Sequence, residues 1–181
     1  SDDDGLLEVC EWFEEDLLHY GPAAIPYLKE VFQTTSNKPQ EWHYGKALAS
    51  GTLTKIATYY PETREQVASI IRAQLPSIDT IATLTQDDAR EMWGNYAGEL
   101  AELADEGSRE QILALFEADL LFDDFIEREQ YLRDMNRGYK PLNPPKPYDI
   151  RNEYRRLYEE QQAWLKRRER ELAKERTQRI R

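Results

Sequence analysis

The chain is poor in the residues that most catalytic and extracellular scaffolds depend on. Cys10 is its single cysteine, so no internal disulfide can form and a disulfide-stapled secreted fold is excluded. Its two histidines, His19 and His43, are far apart in sequence and have no HxxxH or CxxC companions, which argues against a tight transition-metal site. A Walker lysine loop, a Rossmann glycine fingerprint and a nucleophile elbow are all missing. No apolar run approaches the roughly 20 residues needed to span a bilayer, so no membrane partner is expected. Period-two alternation over four or more residues is also absent, and no sheet is predicted. The opening Ser1-Asp2-Asp3-Asp4 has neither the basic start nor the apolar core of a secretory signal, and with the lone cysteine this sets a cytoplasmic expectation.

What the chain does have is charge, distributed unevenly. The 181 residues sum to −11, yet residues 1–135 carry 10 basic and 28 acidic side chains while residues 136–181 carry 14 and 7. An acidic body of −18 is thus followed by a basic tail of +7. Opposite charges on one chain favour three outcomes: the tail docks on the body or a sister copy, reaches an acidic partner, or binds nucleic-acid phosphates. The body would repel nucleic acid, which ranks that outcome below docking on protein.

Apolar residues recur at helical spacing through most of the body. Leu6, Leu7, Val9, Cys10, Phe13, Leu17 and Leu18 predict a helix over about 4–19, ended by Gly21-Pro22. Ile25, Leu28, Val31 and Phe32 predict a second to about Gln33, followed by a polar loop over 34–39. Trp42, Leu48, Leu53, Ile56 and Ala57 mark a third over about 40–59, and Val67, Ile70, Ile71 and Leu75 a fourth opened by Pro61. Residues 80–85 read as a connection. Met92, Trp93, Tyr96, Leu100 and Leu103 give a fifth helix over about 86–104, and Ile112, Leu115, Phe116 and Leu120 a sixth capped by Ser108. Phe122, Phe125, Ile126 and Leu132 continue the rhythm into a short helix within 121–135. The carboxylate groups Asp87-Asp88 with Glu91 and Asp123-Asp124 with Glu127 lack the glycine-centred loop of a calcium site and read as acidic caps at helix starts.

The most specific signal is an internal repeat. Leu53-Thr-Lys-Ile56-Ala57, followed by Arg64-Glu65-Gln66-Val67, parallels Leu100-Ala-Glu-Leu103-Ala104, followed by Arg109-Glu110-Gln111-Ile112. The offset is 47 before the turn and 45 after it, within the range of HEAT and armadillo units. In Gly21-Pro-Ala-Ala24-Ile25-Pro26-Tyr-Leu28 and in Leu53 through Arg64 the sequence resembles the HEAT-like repeats of bacterial proteins, including the group related to phycobilisome-lyase repeats. The resemblance implies an all-α fold, a short HEAT-like α-solenoid of about three helix pairs. It further implies a scaffold or adaptor, or a lyase-like or chaperone-like helper. In such a stack the outward faces of successive second helices line a shared groove, where Lys29, Gln33, Arg72, Gln74 and Glu117 are candidate partner contacts.

Beyond Met135 the pattern changes. Residues 136–148 hold four prolines, Pro141, Pro144, Pro145 and Pro147, and read as a proline-rich linker of polyproline character; the Pro141/Pro144 and Pro144/Pro147 spacings are ones that aromatic grooves recognise, and alternatively Tyr139 and Tyr148 pin the segment along the body as an ordered arm. From Asp149 a long basic helix follows to Arg181 without proline or glycine. Ile150, Leu157 and Trp164, with Tyr154, Tyr158, Leu165 and Leu172, make one stripe, and Lys166, Arg167, Arg168, Arg170, Lys174 and Arg176 supply the charge. The three domains are therefore 1–135, 136–148 and 149–181. The expectation is a non-catalytic protein-interaction module with no cofactor, binding a protein partner or a second copy through the groove and through Tyr154, Leu157, Tyr158, Trp164, Leu165, Arg167 and Arg168. The alternative is a nucleic-acid-associated factor acting through the basic helix.

Overall fold

A computed structural model describes residues 17–33, 42–122, 124–144 and 150–179. These residues are all-helical, with no strand among them. Residues 4–16 of the helix predicted over about 4–19, the loop over 34–39, and Tyr148 with the Asp149 cap lie outside the described residues. The chain divides into two compact units, Ser1–Pro145 and Lys146–Arg181.

In the first unit the helical end at 17–20 runs into a 3-10 turn, Gly21–Ala24, and then α1, Ile25–Val31. Gly21 sits at φ +55, with the Tyr60 ring 3.0 Å from where a Cβ would stand, so both conformation and contact require glycine there. Next come α2 (Tyr44–Tyr59), α3 (Arg64–Arg72), the single turn α4 (Ile78–Ile81), α5 (Glu91–Glu102), α6 (Arg109–Glu117) and α7 (Arg128–Arg137). Helix α2 packs on α1, α3 and α5; α5 in turn packs on α3 and α7, and α4 on α6. The predicted apolar positions form the centre: Leu53, Ile56, Val67, Ile71, Leu100, Leu103, Ile112 and Leu115 are fully buried.

Several boundaries differ from the sequence expectation, each for a local reason. Helix α2 begins four residues later than predicted, because His43 is extended and its Nδ1 accepts the Lys46 amide at 3.2 Å, making an imidazole N-cap. The fifth helix starts at Glu91 rather than 86: Thr85 and Asp88 bond each other in a capping box that closes a separate 3-10 turn, and Ala89 and Arg90 are extended. The 80–85 connection overlaps α4, which Ser77 caps through the Thr80 amide at 3.3 Å. Ser108 does not cap α6 with its side chain; its hydroxyl donates to the Asp105 carbonyl at 3.0 Å. Phe122 and Phe125 fall before α7 and are exposed, although Phe125 stacks on Trp42 with centroids 5.1 Å apart.

The two repeated units are joined by charge. At the end of α3 the Arg72 guanidinium meets Asp105 in a two-pronged contact, Nε to Oδ2 at 2.9 Å and the second nitrogen to Oδ1 at 2.5 Å. Asp105 is buried on the turn between α5 and α6, and this pairing with Asp105 raises the Arg72 pKa. Gly107 makes room for it, since a Cβ there would stand 2.7 Å from the guanidinium carbon. Gln111 adds a second tie to the same loop region, donating to the Pro76 carbonyl at 2.5 Å.

Removing one member of this pair strands the other. Arg72→Met leaves the buried Asp105 carboxylate unpaired and is expected to cost about 3 kcal/mol, whereas Asp105→Asn leaves a partly solvated cation and costs about 1–2 kcal/mol. Urea unfolding measures both; equal and small costs would contradict the pairing's structural role. A second expectation concerns Tyr131, fully buried on α7 with a hydroxyl that makes no hydrogen bond. Burial pushes its pKa up, the nearby Arg109 opposing, so the folded value lies above the unfolded one near 10. The neutral phenol's contribution is present below about pH 10 and lost as pH rises through the folded value. Tyr131→Phe should therefore be neutral or stabilising by up to about 1 kcal/mol at pH 7 and should hold its stability better in alkali, as thermal melts at pH 7 and above 10 will show.

Candidate functional site

The second unit consists of the long helix α8, Ile150–Arg179. Its described side chains present a row of large apolar groups to solvent: Tyr154 is 70% exposed, Leu157 51%, Tyr158 62%, Trp164 56% and Leu165 41%. At 100° per residue these five fall within an arc of about 120° and span about 17 Å along the axis. Arg151 and Arg155 border one edge of the stripe, Arg167 and Glu160 the other, and Arg168 continues it. Trp and Tyr are the side chains that most often anchor protein interfaces, and five large apolar groups in register exceed what a solvated helix needs. The side chains of Ile150, Arg170, Leu172, Lys174 and Arg176 lie outside the described residues.

The predicted groove contacts divide into two groups. Lys29 and Gln33, at the end of α1, and Glu117, at the end of α6, are exposed. The two at and just past the end of α3 are engaged within the chain: Arg72 with Asp105, and Gln74 through its amide to the Ile70 carbonyl at 3.2 Å.

Two hollows of the first unit have no counterpart in the sequence reading. The first, about 690 Å³, is bounded by the helical end at 17–20, α1 and the start of α2, and it is almost wholly apolar, with Leu17, Leu28, Val31 and Leu48 on its walls. Tyr20 and Tyr27 stand on it with 71% and 73% of their surface exposed. These residues sit where the repeat is most divergent, so no periodic signal singles them out.

The second hollow, about 450 Å³, lies between α5, α7 and the arm, lined by Gly98, Glu102, Phe125, Asp134, Lys140 and Leu142 among others. The arm reaches it by a defined path. Tyr139 donates its hydroxyl to the Ala57 carbonyl at 2.6 Å and the Leu142 amide donates to the Thr58 carbonyl at 2.9 Å, so the arm serves the last turn of α2, whose carbonyls lack helical partners. The Arg64 guanidinium lies 4.8 Å from the Tyr139 ring centroid and also donates to the carbonyls of Leu103 and Ala104, both at 2.7 Å, thereby capping α5. Burial raises the Tyr139 pKa and Arg64 opposes the rise.

Among the described residues no three His, Cys, Asp or Glu side chains come together as a metal site, and no helix is long and apolar enough to cross a membrane. His43 is used as a helix cap and Asp88 as the partner of Thr85, whose amide and hydroxyl bonds hold its carboxyl below the usual range. No family model, curated protein or solved structure matches the chain.

The arm's attachment has a measurable signature. Arg64→Ala removes two charge-assisted bonds and a cation–π contact and is expected to cost about 2–3 kcal/mol, whereas Tyr139→Phe removes one hydroxyl bond for about 1 kcal/mol. A double-mutant cycle between Arg64→Ala and Tyr139→Ala should return a coupling of at least about 0.5 kcal/mol. Additive costs would show that the ring and the guanidinium do not interact.

Proposed function

We propose that this chain is a non-catalytic protein-interaction module, a short HEAT-like stack of helix pairs that carries a binding helix on a proline-rich arm. The observation that carries this reading is the exposed stripe Tyr154, Leu157, Tyr158, Trp164 and Leu165 on a helix bordered by arginines. An apolar face of that width gains free energy only when another apolar surface covers it, at about 25 cal/mol per Å² removed from water. Aromatic anchors with few rotatable bonds lose little entropy when they are covered. The repeat spacing of 45 to 47 residues and the helix pairing of α2 with α3 support the stack, since such pairs bury their apolar faces only against neighbours. The basic helix directs the module toward an acidic protein surface, and the −18 body opposes docking on phosphates.

A pull-down with the full chain tests the reading. The wild type should retain a defined protein that a Trp164→Ala/Leu165→Ala double variant loses, with far-UV circular dichroism unchanged. Retention by the double variant would sink the assignment. The nucleic-acid alternative is read in parallel with a labelled duplex: affinity falling steeply from 50 to 200 mM salt and unmoved by the double variant would favour it instead.

A further inference from the structure

The stripe of α8 is close to symmetric about Gln161. Leucines stand four residues away on both sides (Leu157 and Leu165), aromatic rings three residues away on both sides (Tyr158 and Trp164), and Tyr154 and Arg168 seven residues away. Each of these seven side chains is exposed. An isologous two-fold contact needs a surface of this kind, in which residue i meets residue j and j meets i. A stripe made for an unlike partner is under no such constraint. We propose that α8 pairs antiparallel with α8 of a second copy, about a two-fold axis at Gln161. The inference rests on the interaction-module reading above and names the partner of the stripe.

Helical geometry fixes which residues meet. At 100° per residue, Tyr158 and Leu165 lie about 60° and 40° to one side of Gln161, and Leu157 and Trp164 about 40° and 60° to the other. A two-fold axis between antiparallel helices lays each side against the same side of the other copy. Tyr158 therefore packs on the second copy's Leu165, and Leu157 on its Trp164, so each of these rings meets a leucine. Nearer the midline Tyr154 meets Arg168, a ring against a guanidinium. A parallel pair would set every residue against its own counterpart, Trp164 on Trp164 and Arg168 on Arg168.

Charge separates the two arrangements further. Residues 149–165 carry three basic and four acidic side chains, net −1, and residues 166–181 carry eight and three, net +5. Antiparallel helices set each +5 half against a −1 half, where parallel helices set +5 against +5. They also start at opposite ends of the pair, about 33 Å apart, so the pairing itself does not press one −18 body on the other. The hollow beside Tyr27 is a poorer receptor for the basic half, since residues 17–60 carry four basic and two acidic side chains. With aromatic side chains burying about 150–250 Å² each, and Tyr154, Tyr158 and Trp164 56–70% exposed, the five anchors offer roughly 500 Å² per copy. Roughly 1,000 Å² in all stands at the threshold of a specific interface, and association in the micromolar range is expected.

Light scattering coupled to size exclusion, run on the full chain from micromolar to submillimolar concentration, reads the pairing. The wild type is expected to pass from monomer to dimer. Gln161→Leu exchanges a polar group at the axis for an apolar one of similar helix propensity and should tighten the dimer at least about fivefold. Gln161→Glu faces two carboxylates and should weaken it at least about tenfold. Register is read by cross-linking in a Cys10→Ser background. Gln161→Cys should form a disulfide dimer on mild oxidation, and Tyr154→Cys should cross-link with Arg168→Cys but not with itself. A wild type that stays monomeric throughout overturns the inference. So does a dimer indifferent to both substitutions at Gln161, or a Tyr154→Cys chain that cross-links with itself, which marks parallel pairing. If the wild type is monomeric while the pull-down still captures a protein through Trp164 and Leu165, the interaction-module reading survives and the second copy does not.

Discussion

The carbonyls at the end of a helix have no partners within it, and the way this protein supplies them organises much of the first unit. Two helix ends at matching positions of the repeat, at Ala57 in α2 and at Leu103 and Ala104 just past α5, face the same need. At α5 the donor is Arg64 from α3, the helix that follows α2, so the cap of one helix is held by the unit before it. At α2 the donor is the arm, through Tyr139 and the Leu142 amide, which returns across a separation of more than 80 residues. Because Arg64 also lies over the Tyr139 ring, one guanidinium connects both caps. A charged group with several donors in a rigid fork is suited to this, since it serves two carbonyls and an aromatic face at once.

The seam next to it uses the same chemistry in ionised form. Arg72 and Asp105 occupy the junction of the repeated units, and the buried carboxylate is tolerated because both of its oxygens are met. The repeat does not reproduce this pair. The position equivalent to Arg72 is Glu117, and the position equivalent to Asp105 is Thr58, whose carbonyl binds the arm instead. Segments of similar sequence thus receive different closures according to what packs beyond them.

The second unit is built on another principle. Helix α8 has no internal need for its aromatic stripe; arginine, glutamate and glutamine would serve a solvated helix better. Tyr154, Tyr158 and Trp164 are costly to leave in water and informative for that reason. The hollow beside Tyr20 and Tyr27 carries the same implication in concave form.

Helical periodicity in the sequence was enough to establish the all-helical content, the apolar positions from Leu53 to Leu115 and the apolar stripe of α8, because each is a local property of spacing; that the stripe is exposed is a finding of the structure. Helix starts were less legible: at His43 and at Thr85–Asp88 side-chain caps competed with periodicity and won. The roles of Arg64, Arg72 and Tyr139 were decided only by tertiary structure. In sequence, Arg72 is an outward-facing cation like many others; in the fold a buried carboxylate 33 residues away reaches it. The hollow at Tyr27 likewise arises from three segments whose spacing says nothing of their distance. Spacing along a chain determines which face of a helix is apolar, but which donor meets which carbonyl depends on how the helices pack.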